Sequence, residues 1–176
     1  MNGKVIGAVL IASGVLTGAG MYYLQVYGFY DEVSATNVDD VQVTSLVTGV
    51  SEPILYENFK AIDADSSPIR YRACFDTTQS LAMMTETYAL YDDAVPLNAP
   101  GWFDCFNAEE IGAALEEGAA LAFLGTFNVM YGIDRIVAIH DDGRGWAWHQ
   151  INACGEEVFD GNPPPDGCPP LPERTE

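Results

Sequence analysis

The chain's 176 residues carry 26 acidic against 7 basic side chains, a net charge of −19, which excludes a nucleic-acid partner because phosphate contacts need a basic face. Beyond an apolar N-terminal run, residues 41–153 suffice for one compact domain and are too few for two. The acidity is spread along the chain, so its plain reading is a solvated surface, and its sharper reading is a negative field that steers a basic partner such as a small soluble electron carrier.

Residues 5–24 contain no charged side chain, and as a helix they would span roughly 30 Å, the thickness of a bilayer's hydrocarbon core. Only the start amine and Lys4 precede this run, while Asp31 and Glu32 follow it and the next basic residue is Lys60. That bias predicts a single-pass anchor with the N-terminus in the cytoplasm and the remainder exported. Tyr22, Tyr23, Tyr27, Phe29 and Tyr30 cluster at the far end, where amphipathic rings favour the headgroup layer. A cleaved signal peptide is the competing reading, with Thr17 and Ala19 as small residues for cleavage, but the stretch exceeds the roughly 7–15 residues of a usual signal core. Gly7, Gly14 and Gly18 are the helix-packing candidates, and Gly14 with Gly18 fits the small-xxx-small pattern through which two membrane helices approach closely. The lipid bilayer and a membrane-protein complex engaged through this helix are the partners implied.

Residues 1–30 are thus read as the anchor, 31–40 as a polar juxtamembrane linker, 41–153 as an exported α+β domain and 154–176 as a Pro-rich acidic tail. Within the domain, 41–47 is rich in β-branched residues and predicts a strand. Residues 53–60 suggest a short helix, and 69–75 alternates apolar and polar as a half-buried strand does. Leu81, Met84 and Tyr88 recur at helical spacing over 77–90, and 102–106 is aromatic and expected to be buried. Asn107 followed by Glu110 has the form of an N-cap with its reciprocal partner, opening a helix to about Gly118 with Ile111, Ala114 and Leu115 inward. Residues 119–124 fit a buried strand or a continuation of that helix. Residues 135–140 and 146–151 flank Asp141-Asp142-Gly143-Arg144-Gly145, a hairpin signal. The proline-dense stretch from Cys154 onward predicts an extended tail.

Cys74, Cys105, Cys154 and Cys168 make an even count in an exported, oxidising setting, so two disulfides are expected. Of the three possible pairings, Cys154–Cys168 with Cys74–Cys105 is favoured, the former closing the Pro-rich loop. No C-x-x-C or C-x-x-C-H occurs, which argues against a thioredoxin-type dithiol and covalent haem.

The segments Ala61-Ile62-Asp63-Ala64-Asp65-Ser66-Ser67-Pro68-Ile69-Arg70-Tyr71-Arg72-Ala73-Cys74-Phe75, Ala99-Pro100-Gly101-Trp102-Phe103-Asp104-Cys105, Tyr131-Gly132-Ile133-Asp134-Arg135 and Trp148-His149-Gln150-Ile151-Asn152 resemble an uncharacterised family of membrane-anchored alphaproteobacterial proteins. The resemblance implies a bacterial inner membrane with the exported domain in the periplasm, and it implies no activity. The chain has no glycine-rich nucleotide box, and neither histidine lies on a candidate dimerisation helix.

No metal or cofactor is expected. His140 and His149 fall on opposite strands of the hairpin, where a register that pairs His149 with Ile136 keeps them apart. Asp63, Asp65 and Ser67 have the alternate spacing of a calcium loop, but Pro68 replaces its glycine and Cys74 its terminal glutamate, so a polar turn is the better reading. Arg70 and Arg72 are expected to pair with carboxylates. With no catalytic spacing, the leading expectation is a non-catalytic accessory subunit of an energy-transducing membrane complex. An assembly or chaperone-like factor and an unrecognised periplasmic enzyme are the alternatives.

Overall fold

In a computed structural model, which describes residues 2–172, the N-terminal run forms helix α1 (Gly3–Tyr23), continued by a π-helical turn over Leu24–Gly28. Its apolar side chains lie on all sides and none is buried. The 26 residues of Gly3–Gly28 rise roughly 39 Å, a length and composition that suit a membrane anchor or a signal sequence.

The remainder is an α+β domain on a six-stranded antiparallel sheet ordered β1-β4-β5-β8-β7-β6. Its strands are β1 (Asp31–Val33), β4 (Glu57–Asp63), β5 (Arg72–Asp76), β6 (Ala120–Met130), β7 (Ile133–His140) and β8 (Arg144–Ile151). A separate hairpin joins β2 (Gln42–Thr44) to β3 (Ser51–Pro53). Because side chains alternate across a strand, the central strands feed two cores. Ala73, Phe75, Val137, Ile139 and Ala147 meet Val41, Val43 and Met84 on one face. Cys74, Ile136, Ala138, Trp146 and Trp148 meet Phe103, Phe106 and Ile111 on the other. Both faces are covered, which is why β7 and β8 carry apolar residues at successive positions. Phe75 lies opposite Gly145 in the ladder, and a Cβ there would overlap its ring.

Among the described residues three helices close the domain: α2 (Leu81–Thr87), α3 (Ala108–Glu117) and α4 (Ala153–Phe159). Asn107 caps α3, its side chain accepting from the amides of Glu109 and Glu110 at 3.1 and 3.3 Å, and Gly118 ends the helix in the left-handed region at φ 75°. Glu110 does not complete the expected reciprocal cap. Its carboxylate instead accepts from Arg144 at 2.9 Å, an ion pair the turn after β7 brings into reach.

Several expectations are corrected. Residues 53–60 are not helical: β4 pairs with β5, with Ala61 opposite Ala73, and ladder bonds outweigh local propensity. Residues 31–40 are not merely a linker, since Asp31–Val33 pairs with β4 as an edge strand and the Asp40 carboxylate accepts from the amides of Thr36 and Asn37. The helix within 77–90 starts late, at the cap Ser80, and stops at Thr87, because Tyr88 and Leu90 form bridges to Ser45 and Phe123. The Leu90 bridge extends the sheet beyond β6 and covers part of that edge. Residues 120–124 belong to β6, with no continuation of α3 past its cap Gly118. The tail opens with α4, capped by Asn152, and Tyr131 donates to the Pro169 carbonyl at 3.2 Å; its residues 173–176, like the start amine, lie outside the described residues.

Candidate functional site

The helix end and the domain meet at Trp102. Its loop is held from behind: Cys105 is bonded to Cys74 of β5, and the Cys105 carbonyl accepts the Trp146 indole N–H at 3.1 Å. The Trp102 indole N–H donates to the Val26 carbonyl at 2.6 Å, its ring stacks on Tyr27 with centroids 6.2 Å apart, and Tyr30 meets it edge-on at 6.1 Å. The Arg70 guanidinium covers Tyr30 at 5.5 Å. Beside this cluster a groove of about 460 Å³ runs between the β1–β4 edge and the 102–105 loop, lined by Val33, Phe59, Ile62 and Phe103 with Glu32 and Lys60 at its sides. Of the five aromatic residues assigned to a membrane boundary, Tyr27 and Tyr30 thus touch the domain, while Tyr22, Tyr23 and Phe29 are exposed. Gly7, Gly14 and Gly18 lie in α1, where a Cβ at any of them would meet nothing within 4 Å.

A second constellation crosses the sheet. His149 on β8 is buried, with its ring stacked on Tyr71 at 4.7 Å, and the Arg135 guanidinium lies 4.2 Å from the Tyr71 ring centre. Arg135 donates to His149 Nε2 at 3.1 Å, and Nδ1 bonds the Pro68 carbonyl at 2.7 Å. Nε2 is therefore the acceptor and Nδ1–H the donor. Burial, with the Arg135 charge second, draws the His149 pKa down to about 4, so the ring is neutral at physiological pH and its lone pair is occupied. Burial likewise raises the Tyr71 pKa.

Arg70 and Arg72 do not pair with carboxylates among the described residues. Arg72 is 3% exposed and gives its hydrogens to the carbonyls of Leu97, Asn98, Ile69 and Tyr71. Burial draws its pKa down to about 10, leaving it cationic at neutral pH. Carbonyls suffice here because they carry the negative ends of fixed dipoles and a loop can wrap them around a guanidinium, which a carboxylate on a neighbouring strand cannot do.

A third cluster centres on Asp134, which is buried and accepts from the Asn152 side chain at 2.7 Å and the Asn128 amide at 2.9 Å. The Asp134 carboxylate lies 3.4 Å from the Tyr91 hydroxyl, and burial first, then Asp134, pushes the Tyr91 pKa up to about 12. The cluster ties the β6–β7 turn to the start of α4.

His140 sits apart, at the end of β7, with Nδ1 2.9 Å from Asp141 and 3.0 Å from Asp142. His149 pairs with Arg135, not Ile136, because the turn takes in three residues, Asp141, Asp142 and Gly143. The calcium-like spacing folds as a turn in which Asp63 accepts from the Ala64 amide at 2.8 Å. Among the described residues no three potential metal ligands converge, every cysteine is in a disulfide, the second being Cys154–Cys168, and no hydroxyl donates to either histidine. Sequence reasoning missed Trp102 and the Asp134 network. Trp102 was readable only as a buried aromatic, and Asn128, Asp134 and Asn152 are separated by turns whose closure no local pattern announces.

Residues 41–169 match a family of unknown function (DUF6446), and the chain belongs to that family. No curated protein and no solved structure matches the chain.

Proposed function

We propose that this member of a family of unknown function is a non-catalytic accessory subunit of an integral-membrane, energy-transducing complex. In this reading α1 is retained as the anchor in a bacterial inner membrane, as in the membrane-anchored alphaproteobacterial proteins the sequence resembles, and the domain lies in the periplasm. The observation that carries it is the bareness of α1. None of its side chains is buried, and Gly14 and Gly18, one turn apart, leave backbone open on one face, a surface that lipid fills poorly and another helix fills well. Lys4 before the span and Asp31 and Glu32 after it support the orientation, and two disulfides suit an oxidising compartment. The net charge of −19 favours a basic periplasmic carrier as a transient partner, with association that weakens as salt shortens the Debye length.

Purification through a C-terminal tag in mild detergent tests the reading. A stoichiometric complex that loses the chain on Gly14→Leu or Gly18→Leu, with the domain still folded, is the expected result. Capture only of an immature complex indicates an assembly factor, and a solitary chain with unchanged respiration, transport and growth in a deletion strain refutes the subunit. A phosphatase fused after residue 176 is active only if the C-terminus is exported.

A further inference from the structure

Helix ends leave carbonyls without partners in the chain. At the end of α1 the Phe29 amide goes to Leu24 at 3.1 Å and the Tyr30 amide to Tyr27 at 3.3 Å. The Val26 carbonyl between them is taken by the Trp102 indole at 2.6 Å. Trp102 is fixed in turn to the sheet, through the Cys74–Cys105 bond three residues away. The domain is therefore joined to the helix end by a hydrogen bond and two ring contacts as well as by the chain.

Depth follows from length. If residues 5–24 fill the hydrocarbon core, roughly 30 Å thick, then Val26 and Tyr27 stand in the headgroup layer, and a ring that touches both stands at the same level. Indole is suited to that level, having an apolar body and one donor that must be satisfied.

We propose that Trp102 latches the domain onto the end of its own anchor, and that the surface around it, the 100–104 loop, rests on the headgroups of the bilayer that α1 crosses. The inference rests on the membrane reading of α1 given above. It gives the domain one orientation toward the membrane where a free linker would let it turn. Glu32, Lys60 and Asp104 line the groove beside this surface and the Arg70 guanidinium lies over Tyr30, so charges of both signs border it, as suits a zwitterionic headgroup.

The full chain reconstituted into phosphatidylcholine vesicles with brominated acyl chains provides the test. Trp146 and Trp148 are 3% and 0% exposed in the core, out of reach of lipid, so quenching by bromolipid reports Trp102. Bromine placed near the ester end of the chains is expected to quench part of the emission, bromine at the methyl end much less, and Trp102→Phe to lose the quenching. The near-ultraviolet dichroism of the two core tryptophans shows that the variant is folded; should it unfold, the depth dependence in the unsubstituted chain decides alone. Vesicles that float with the chain but show no quenching by shallow bromine overturn the latch while the anchor stands. A chain that does not float with vesicles overturns both.

Discussion

Arg135 and His149 face each other on neighbouring strands, and the guanidinium donates through both Nε and Nη2 to the imidazole Nε2, each at 3.1 Å. A cation that uses Nε2 as its acceptor opposes a proton on that nitrogen, leaving Nδ1–H as the ring's one proton. The ring is a structural base locked neutral between a carbonyl, an arginine and a tyrosine face.

A pH dependence of stability follows. The His149 pKa is about 4 in the fold and about 6.5 in the unfolded chain. Between those values the unfolded chain binds a proton that the folded chain does not, so the contribution is complete above pH 6.5 and falls as pH drops toward 4, by about 3 kcal/mol in total. Urea unfolding of the detergent-solubilised chain from pH 7.5 to 4.5 measures it. His149→Gln, which keeps an acceptor for Arg135 but cannot titrate, is expected to flatten the profile over this range; a slope unchanged in the variant assigns the dependence to other groups.

Asp134→Ala removes the acceptor of the Asn128 backbone amide and of one Asn152 side-chain hydrogen, while Asn152 keeps its bond to the Asn128 side-chain oxygen. The stranded Asn128 amide costs about 1–3 kcal/mol, so a loss of that size is expected, whereas Asp134→Asn, which retains an acceptor oxygen, loses less. Thermal unfolding of the two variants beside the parent checks the order.

Gly155 in the first turn of α4 lies against Gly132, whose φ is 77°, and a Cβ at 155 would overlap the Gly132 carbonyl. Gly155→Ala is expected to cost about 1–3 kcal/mol as an overpacking substitution. Its first sign should be earlier proteolysis at α4, with the cooperative core melting later; an unchanged urea midpoint and cleavage pattern would count against the close approach.

Alkylation without reductant is expected to label none of the four cysteines. In the loop-entropy account, opening Cys154–Cys168, with its sequence separation of 14, costs about 3 kcal/mol. Opening Cys74–Cys105, separation 31, costs about 4 kcal/mol. The paired variants Cys154→Ala/Cys168→Ala and Cys74→Ala/Cys105→Ala, melted separately, test that order. Only the second is expected also to loosen the Trp102 loop, seen as a change in tryptophan emission.

The sequence by itself determined what depends on neighbours along the chain. An uncharged run of residues 5–24 makes a long apolar helix wherever it is placed. Asn107 caps a helix because its side chain reaches amides two and three residues on, and the Asp141-Asp142-Gly143 turn closes β7 onto β8 because Gly143 accepts φ 93°. An even number of cysteines sufficed to expect disulfides. Tertiary structure decided what depends on distant segments. β4 became a strand, where a helix was expected, because β5 supplied a ladder, and Asp31–Val33 joined the sheet because β4 offered its free edge. Arg72 found carbonyls in place of a carboxylate because the 97–98 segment lies across it and adds two to those of Ile69 and Tyr71, and Trp102, 76 positions from Val26 in sequence, met the helix end because a disulfide holds its loop there. Local signals carry propensity worth tenths of a kcal/mol to about 1 kcal/mol per residue, and the pairing and burial that outweigh them exist only once remote parts of the chain have come together.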